Sequence, residues 1–288
     1  MNFPGVIIIG AQKCGTSSLH KYLDRHPDIQ MSTQKELNFF SEDYQWKKGA
    51  DWYKRQFTGN ARIFGESSPG YTMYPVRQGV PQRMYELVPD AKLIYLVRDP
   101  IKRMISHYLD RFKGGREQRP VEQALLDPGE DNFYIHYSQY YAQLSRYLEF
   151  YPRSAIHVET ASRLKNDRQA ALRDIFRFLG VDPEFTCQEF EKLHNVSDVK
   201  LKRRKPRRIV RRFLLDKHSI YPRLKPWLAV LIPKASHAAI IDGLIPGTAV
   251  ARPRLDDAIQ VRIRERLADD LRRFRDLTGI DFTENAAA

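Results

Sequence analysis

The run Lys13-Cys14-Gly15-Thr16-Ser17-Ser18 sets a cation, a permissive backbone position and three hydroxyls side by side. Each of these suits an anion. Lys13 supplies a point charge, Gly15 lets backbone amides approach a ligand closely, and the hydroxyls donate hydrogen bonds. A helix beginning near Thr16 would add unpaired N–H groups and the positive end of its dipole. The run reads as a phosphate or sulfate cradle, the plainer alternative being a polar turn after a buried strand. Its order, G-x-x-K-x-G-T-S from Gly10, is not the G-x-x-x-x-G-K-[ST] of nucleoside triphosphatases, which puts the lysine after the second glycine.

Two further groups could do chemistry. Arg98 and Ser106 together offer a guanidinium fork and a hydroxyl, a combination that clamps phosphate; alternatively Arg98 pairs with Asp99. Lys35-Glu36 stands close to Phe39-Phe40. Apolar walls beside a carboxylate raise its pKa, as a general base working near neutral pH needs; the plainer reading is a solvated helix start. Cys14 reads as a small loop filler, although an anion loop could stabilise its thiolate. His107 reads as packed structure, and the other histidines show no metal-ligand spacing.

The elements that must position these residues follow from pattern. Residues 5–10 form a β-branched run bounded by glycines, a buried strand, and the following helix carries Leu19, Tyr22 and Leu23 on one face. A short strand is expected near Ile29-Gln30, and others at 62–66, 91–97 and 155–159. Arg98 then stands at a strand's carboxyl end, where ligands gather in open parallel sheets. Asp99 caps the next helix, Pro100 enters its first turn, and Arg103 and Ser106 are expected on one face with Asp99. Gly114-Gly115-Arg116 marks a loop near the cleft. Helices are expected over 76–88, over tyrosine-rich 132–151, over 168–179 ended by Gly180, from Pro183 to near His194, and over 255–277.

A net charge of +13 on 288 residues points to an anionic partner. Charge alone leaves nucleic acid, acidic membrane, acidic polysaccharide and a charged nucleotide open. It is densest over 200–225, where about a dozen basic residues face one acid, Asp216. An apolar stretch at 226–233 follows, suited either to packing or to a lipid surface. Two cysteines fit a reducing compartment. Met1-Asn2-Phe3-Pro4 has no basic n-region and no stretch is long enough to span a bilayer, so a cytoplasmic location is expected, peripheral to a membrane if 200–235 meets one.

Gly10-Ala11-Gln12-Lys13-Cys14-Gly15-Thr16-Ser17 resembles the 5′-phosphosulfate loop of sulfotransferases that use 3′-phosphoadenosine-5′-phosphosulfate (PAPS). The similarity is strongest to the branch of heparan sulfate sulfotransferases and bacterial carbohydrate or natural-product sulfotransferases. The segment from Arg98-Asp99-Pro100 through Arg103 and Ser106 to Tyr108 resembles that family's 3′-phosphate signature, whose arginine and serine are ligands. Gln34 to Phe40 is similar to its Lys-Glu-x-His-Phe-Phe segment, whose glutamate is the base; Asn38 replaces the histidine, and Ser41 an aspartate that often follows. Glu66-Ser67-Ser68-Pro69-Gly70-Tyr71 resembles its Glu-Lys-x-Pro-x-Tyr segment, with Ser67 in place of a lysine that contacts acceptor or sulfonate.

The resemblance implies a sulfotransferase with Lys13 and Glu36 catalytic. Lys13, Cys14, Gly15, Thr16, Ser17 and Ser18 would hold the 5′-phosphosulfate, and Arg98 and Ser106 the 3′-phosphate. Arg203 or Arg204 would belong to a basic loop closing over the nucleotide. No metal and no nucleic-acid partner are implied, and the acceptor is expected to be a sugar-containing hydroxyl or amine compound, acidic ones included. The alternatives are a P-loop-type small-molecule kinase using ATP, or a non-catalytic nucleic-acid or membrane binder. The expected architecture is one α/β domain over 1–288, with a nucleotide-binding core at 1–200 and a basic, helical part at 201–288. Its centre is a P-loop-like parallel sheet flanked by helices, with a helical C-terminal extension.

Overall fold

The computed structural model describes residues 3–129, 132–191 and 252–283. Its sheet is built from β1 (Val6–Gly10), β2 (Ile29–Met31), β3 (Ile63–Ser67), β4 (Lys92–Val97) and β5 (Ile156–Thr160). The order is β2-β3-β1-β4-β5 and every pair is parallel. β1 is buried along its length, and β4 from Leu93 onward. Continuous Val/Ile/Leu runs are what strands covered on both faces require. The chain leaves β1 for β2 and β3 on one side, then crosses to β4 and β5 on the other. That reversal opens a crevice at the carboxyl ends of β1 and β4, where the candidate loop and Arg98 both lie.

The helices in chain order begin with α1 (Thr16–Leu23), α2 (Asp43–Trp46), α3 (Gly49–Lys54), α4 (Val80–Leu87) and α5 (Pro100–Lys113). They continue with α6 (Val121–Leu126), α7 (Phe133–His136), α8 (Tyr140–Leu148), α9 (Ala161–Asn166), α10 (Arg168–Leu179) and α11 (Asp257–Thr278). α1 packs on the sheet through Leu19, Tyr22 and Leu23, the face its spacing predicts. α11 buries Ile263, Leu267, Leu271 and Phe274 and docks on α8 and α6. Gly180 ends α10 in the left-handed conformation, as expected.

Several local expectations change. The helix expected over 76–88 starts only at Val80, after a left-handed Gly79 (φ 69°). Tyrosine-rich 132–151 divides into α7 and α8 around Ser138-Gln139. The helix expected from Pro183 is replaced by irregular chain and a short 3₁₀ turn at Gln188–Glu191; its remainder lies outside the described residues. Residues 34–40 are not a helix start, because Glu36 (φ 62°) and Asn38 (φ 52°) are left-handed and interrupt any helical run. No described helix is long and apolar enough to cross a membrane.

Candidate functional site

The loop after β1 is held from beneath. Ala11 N donates to Leu96 O of β4 at 2.6 Å, and Cys14 N to Ala11 O at 3.2 Å. A Cβ on Gly10 would lie 1.9 Å from Thr72 Oγ1, so only glycine lets the turn after β3 close against the strand end. Gly15 caps α1 with φ 98°, a conformation natural to glycine, and Ser18 N and Leu19 N donate back to its carbonyl. Lys13 is also left-handed (φ 72°), a costly conformation for a residue with a Cβ, seen chiefly where surrounding structure enforces it. Among the described residues no carbonyl accepts from the amides of Lys13, Gly15, Thr16 or Ser17. These amides stand open at the positive end of α1, an arrangement suited to an anion.

Cys14 lies beneath the loop, 1% exposed, and burial pushes its thiol up to about 11. It is a filler, and the stabilised thiolate is not what this environment builds. Lys13 extends across the crevice to Asp110 of α5, Nζ to Oδ1 3.4 Å. The same carboxylate takes Arg116 on its other oxygen at 3.0 Å, so the loop at 114–116 does border the cleft. Asp110 was not among the sequence candidates. Its signal was its place one helical turn beyond Ser106 on the same face of α5.

The second group forms at the β4–α5 corner. Asp99 caps α5 through Lys102 N (2.7 Å) and its other oxygen meets Arg264 of α11 at 3.5 Å. Asp99 is therefore spent, and the alternative Arg98–Asp99 pair does not form. Arg98 and Ser106 are half-buried, and among the described residues neither side chain has a polar partner. Arg103 departs from expectation. It is fully buried, donating from Nε to Ser138 Oγ and from Nη2 to Tyr134 O, both at 2.7 Å, and burial pulls its pKa below the usual arginine value. The long side chain reaches inward past the face that carries Ser106. His107 is packed among Phe133, Tyr134 and Tyr137, its pKa lowered to about 2 by burial and the nearby arginines.

The third group lies at the end of β3. Glu36 N donates to Ser67 O at 3.0 Å, and Asn38 N to Ser68 Oγ at 3.1 Å, which docks the 32–42 loop onto the strand end. The Glu36 carboxylate is 54% exposed and meets Lys35 Nζ at 2.9 Å. The apolar walls expected around it form elsewhere. Phe39 and Phe40 turn into a buried aromatic stack with Tyr53, while Glu66 is the enclosed carboxylate. Tyr53, Tyr71 and Ser68 all donate to Glu66, and burial raises its pKa. Ser67, standing where the resembling family carries lysine, has a buried hydroxyl without a hydrogen-bond partner among the described residues.

The structure thus brings Lys13, Cys14, Gly15, Thr16, Ser17 and Ser18 beside Arg98 and Ser106 on neighbouring strand ends, with Glu36 at the next strand over. Arg203, Arg204 and the 200–235 segment lie outside the described residues. No cluster of three or more His, Cys, Asp or Glu side chains able to hold a metal occurs among the described residues.

Comparison with known proteins follows the same lines. The sulfotransferase domain family matches residues 3–214. Human heparan sulfate glucosamine 3-O-sulfotransferase 5 is 30% identical over 194 residues, 64% of this chain and 55% of that protein. The membrane-associated sulfotransferase kil1 of Dictyostelium discoideum is 36% identical over 110 residues, 36% of this chain and 22% of that protein. The chain therefore spans about half the length, or less, of these curated relatives. The crystal structure of a sulfotransferase from Alicyclobacillus acidocaldarius superposes with a TM-score of 0.65 at 24% identity, covering 98% of each chain, and so shares the fold. With the family matched across the β1 loop, the β3 end and the β4–α5 corner alike, the chain belongs to the sulfotransferase domain family.

Proposed function

We propose that this protein transfers a sulfuryl group from PAPS to a hydroxyl of a sugar-containing acceptor. The observation that carries the reading is the pair of unspent anion sites on adjacent strands: the amide cradle of 13–17 after β1, and Arg98 with Ser106 after β4. A nucleotide with phosphate at both its 5′ and 3′ positions fits two such sites; ATP needs one. The lysine before Gly15, rather than after it, likewise disfavours the kinase alternative.

PAPS supplies an already activated sulfuryl group, so the protein's contribution is positioning and charge stabilisation. Lys13, released from Asp110, offsets negative charge at the 5′ phosphate. The backbone at Cys14 and Gly15 and the groups of Thr16, Ser17 and Ser18 hold the 5′ end, and Arg98 and Ser106 hold the 3′-phosphate. Glu36, more than half exposed and docked by its amide on the end of β3, accepts the proton of the attacking hydroxyl. Resemblance supports Arg203 or Arg204 as a closing contact, and composition alone supports an acidic acceptor or a membrane surface for 200–235 and a cytoplasmic location. A sugar acceptor is supported by the name of the human relative and by exposed aromatic surface suited to one: Tyr44 is 62% exposed and Lys48 lies 4.3 Å over the Trp52 ring.

The test is direct: the purified protein is offered PAPS or magnesium-ATP with a panel of glycans. Sulfated product from PAPS alone supports the reading. Phosphorylated product supports the kinase. Salt-sensitive binding to nucleic acid or anionic vesicles that survives Lys13→Ala, with no transfer, supports a non-catalytic binder.

A further inference from the structure

α11 lies beyond the residues that the family matches, yet it reaches the 3′-phosphate corner by three routes. Arg264 contacts the Asp99 carboxylate at 3.5 Å while its other terminal nitrogen donates to Phe282 O at 3.0 Å. Asp270 accepts from Tyr141 N (3.0 Å) and Ala142 N (2.8 Å), and so caps the first turn of α8 from outside. Phe274 and Phe282 pack on the ring of Tyr140, with centroids at 5.6 and 5.9 Å.

Tyr140 is where these contacts converge. It is fully buried, its ring also meets Tyr95 of β4 edge-on at 6.0 Å, and its hydroxyl donates to the backbone carbonyl of Arg98 at 2.6 Å. One phenol therefore holds the end of β4 from below, and the contacts with Phe274 and Phe282 set where that phenol sits.

Resting on the sulfotransferase reading, we propose that Tyr140, seated by α11, is a positioning residue that aims Arg98 at the nucleotide's 3′-phosphate. A guanidinium discriminates a phosphate only if its backbone anchor is fixed, because its side chain is long and otherwise samples many rotamers. Arg98 is the first residue after β4, where the strand ladder no longer holds the chain. The Tyr140 bond and the Arg264 grip on Asp99 restrain that junction on successive residues. The side chain of Arg98, unpaired among the described residues, is then presented rather than tethered.

Tyr140→Phe isolates the claim, since it keeps the ring packing and removes the hydroxyl. Calorimetric titration with adenosine 3′,5′-bisphosphate and with AMP gives an affinity ratio for each form. In the variant that ratio should fall by about tenfold, with AMP affinity unchanged, as expected for loss of one positioned charged contact. Equal losses for both ligands, or an unchanged ratio, overturn the proposal. If Tyr140→Phe does not accumulate folded, Arg264→Gln gives the same test, with an expected fall of about threefold; an unchanged ratio there overturns it too. A wild-type protein that does not prefer the bisphosphate overturns the sulfotransferase reading itself, and this proposal with it; a preference that persists in the variants overturns only the latter.

Discussion

Glu36 and Glu66 stand at the same end of β3 in opposite surroundings. Glu66 is sealed, with three hydroxyls donating to it and burial raising its pKa. Glu36, whose amide is bonded one residue further along the strand, is more than half exposed and contacts Lys35. A carboxylate that takes a proton from a ligand must be reachable by that ligand; one that knits three hydroxyls together must not move. The surroundings of Glu36 suit the first role, which we propose for it, and the three hydroxyls on Glu66 give it the second. The left-handed backbone at Glu36 and Asn38 suits this division, because it carries the carboxylate out of the aromatic stack that Phe39 and Phe40 enter.

The contrast can be broken in four ways. The largest effect belongs to Glu36→Gln, which should lower kcat by about 10²–10⁴-fold while leaving the unfolding midpoint unchanged. Steady-state assays and thermal melts measure both, and a destabilised but active variant would reverse the two roles. Glu66→Ala should cost about 3 kcal/mol or more in denaturant titration, because each stranded buried hydroxyl costs roughly 1–3 kcal/mol. Turnover per folded molecule should stay near wild type.

The pH response sharpens the same point. Glu66 keeps its proton to higher pH in the folded chain than in the unfolded one. The folded state thus binds more protons in that window, and stability falls as pH rises from the ordinary carboxylate range through the Glu66 value. Relative to wild type, Glu66→Gln should therefore gain stability as pH rises above about 4.3, followed by equilibrium unfolding across pH 4–8. A pH-independent difference contradicts the burial argument. The smallest effect concerns a third carboxylate, Asp110, which holds Lys13 from a partly exposed position. Asp110→Asn should tighten bisphosphate binding by up to about fivefold, since a pair of this kind contributes about 1 kcal/mol or less. Weaker binding would mean that Asp110 orients Lys13 for the ligand rather than competing for it.

Much of this was legible in the sequence. Apolar runs and turn signals together gave all five strands, and the glycine-lysine-hydroxyl order and the Arg98-to-Ser106 spacing marked the two groups that we propose as anion sites. What stayed hidden depended on contacts distant in the chain. Glu66 looks like any strand-end acid until Tyr53 and Tyr71 close on it, and the helical phase of Asp110 with Ser106 says nothing of its partner Lys13, 97 residues away. The apolar walls expected beside Glu36 do not form, because Glu36 and Asn38 dock on the β3 end with left-handed backbone while Phe39 and Phe40 pack on Tyr53. Arg103 misled because helical phase locates a Cβ, not the far end of a long side chain.

The central claim is that two phosphates are recognised at adjacent strand ends, and binding of adenosine 3′,5′-bisphosphate, AMP and ATP to wild type and Arg98→Ala tests it most directly. The account predicts at least about tenfold tighter binding of the bisphosphate than of AMP or ATP in the wild type, a preference lost in Arg98→Ala. Equal affinity for AMP and the bisphosphate in the wild type, or a preference that survives the substitution, would contradict it.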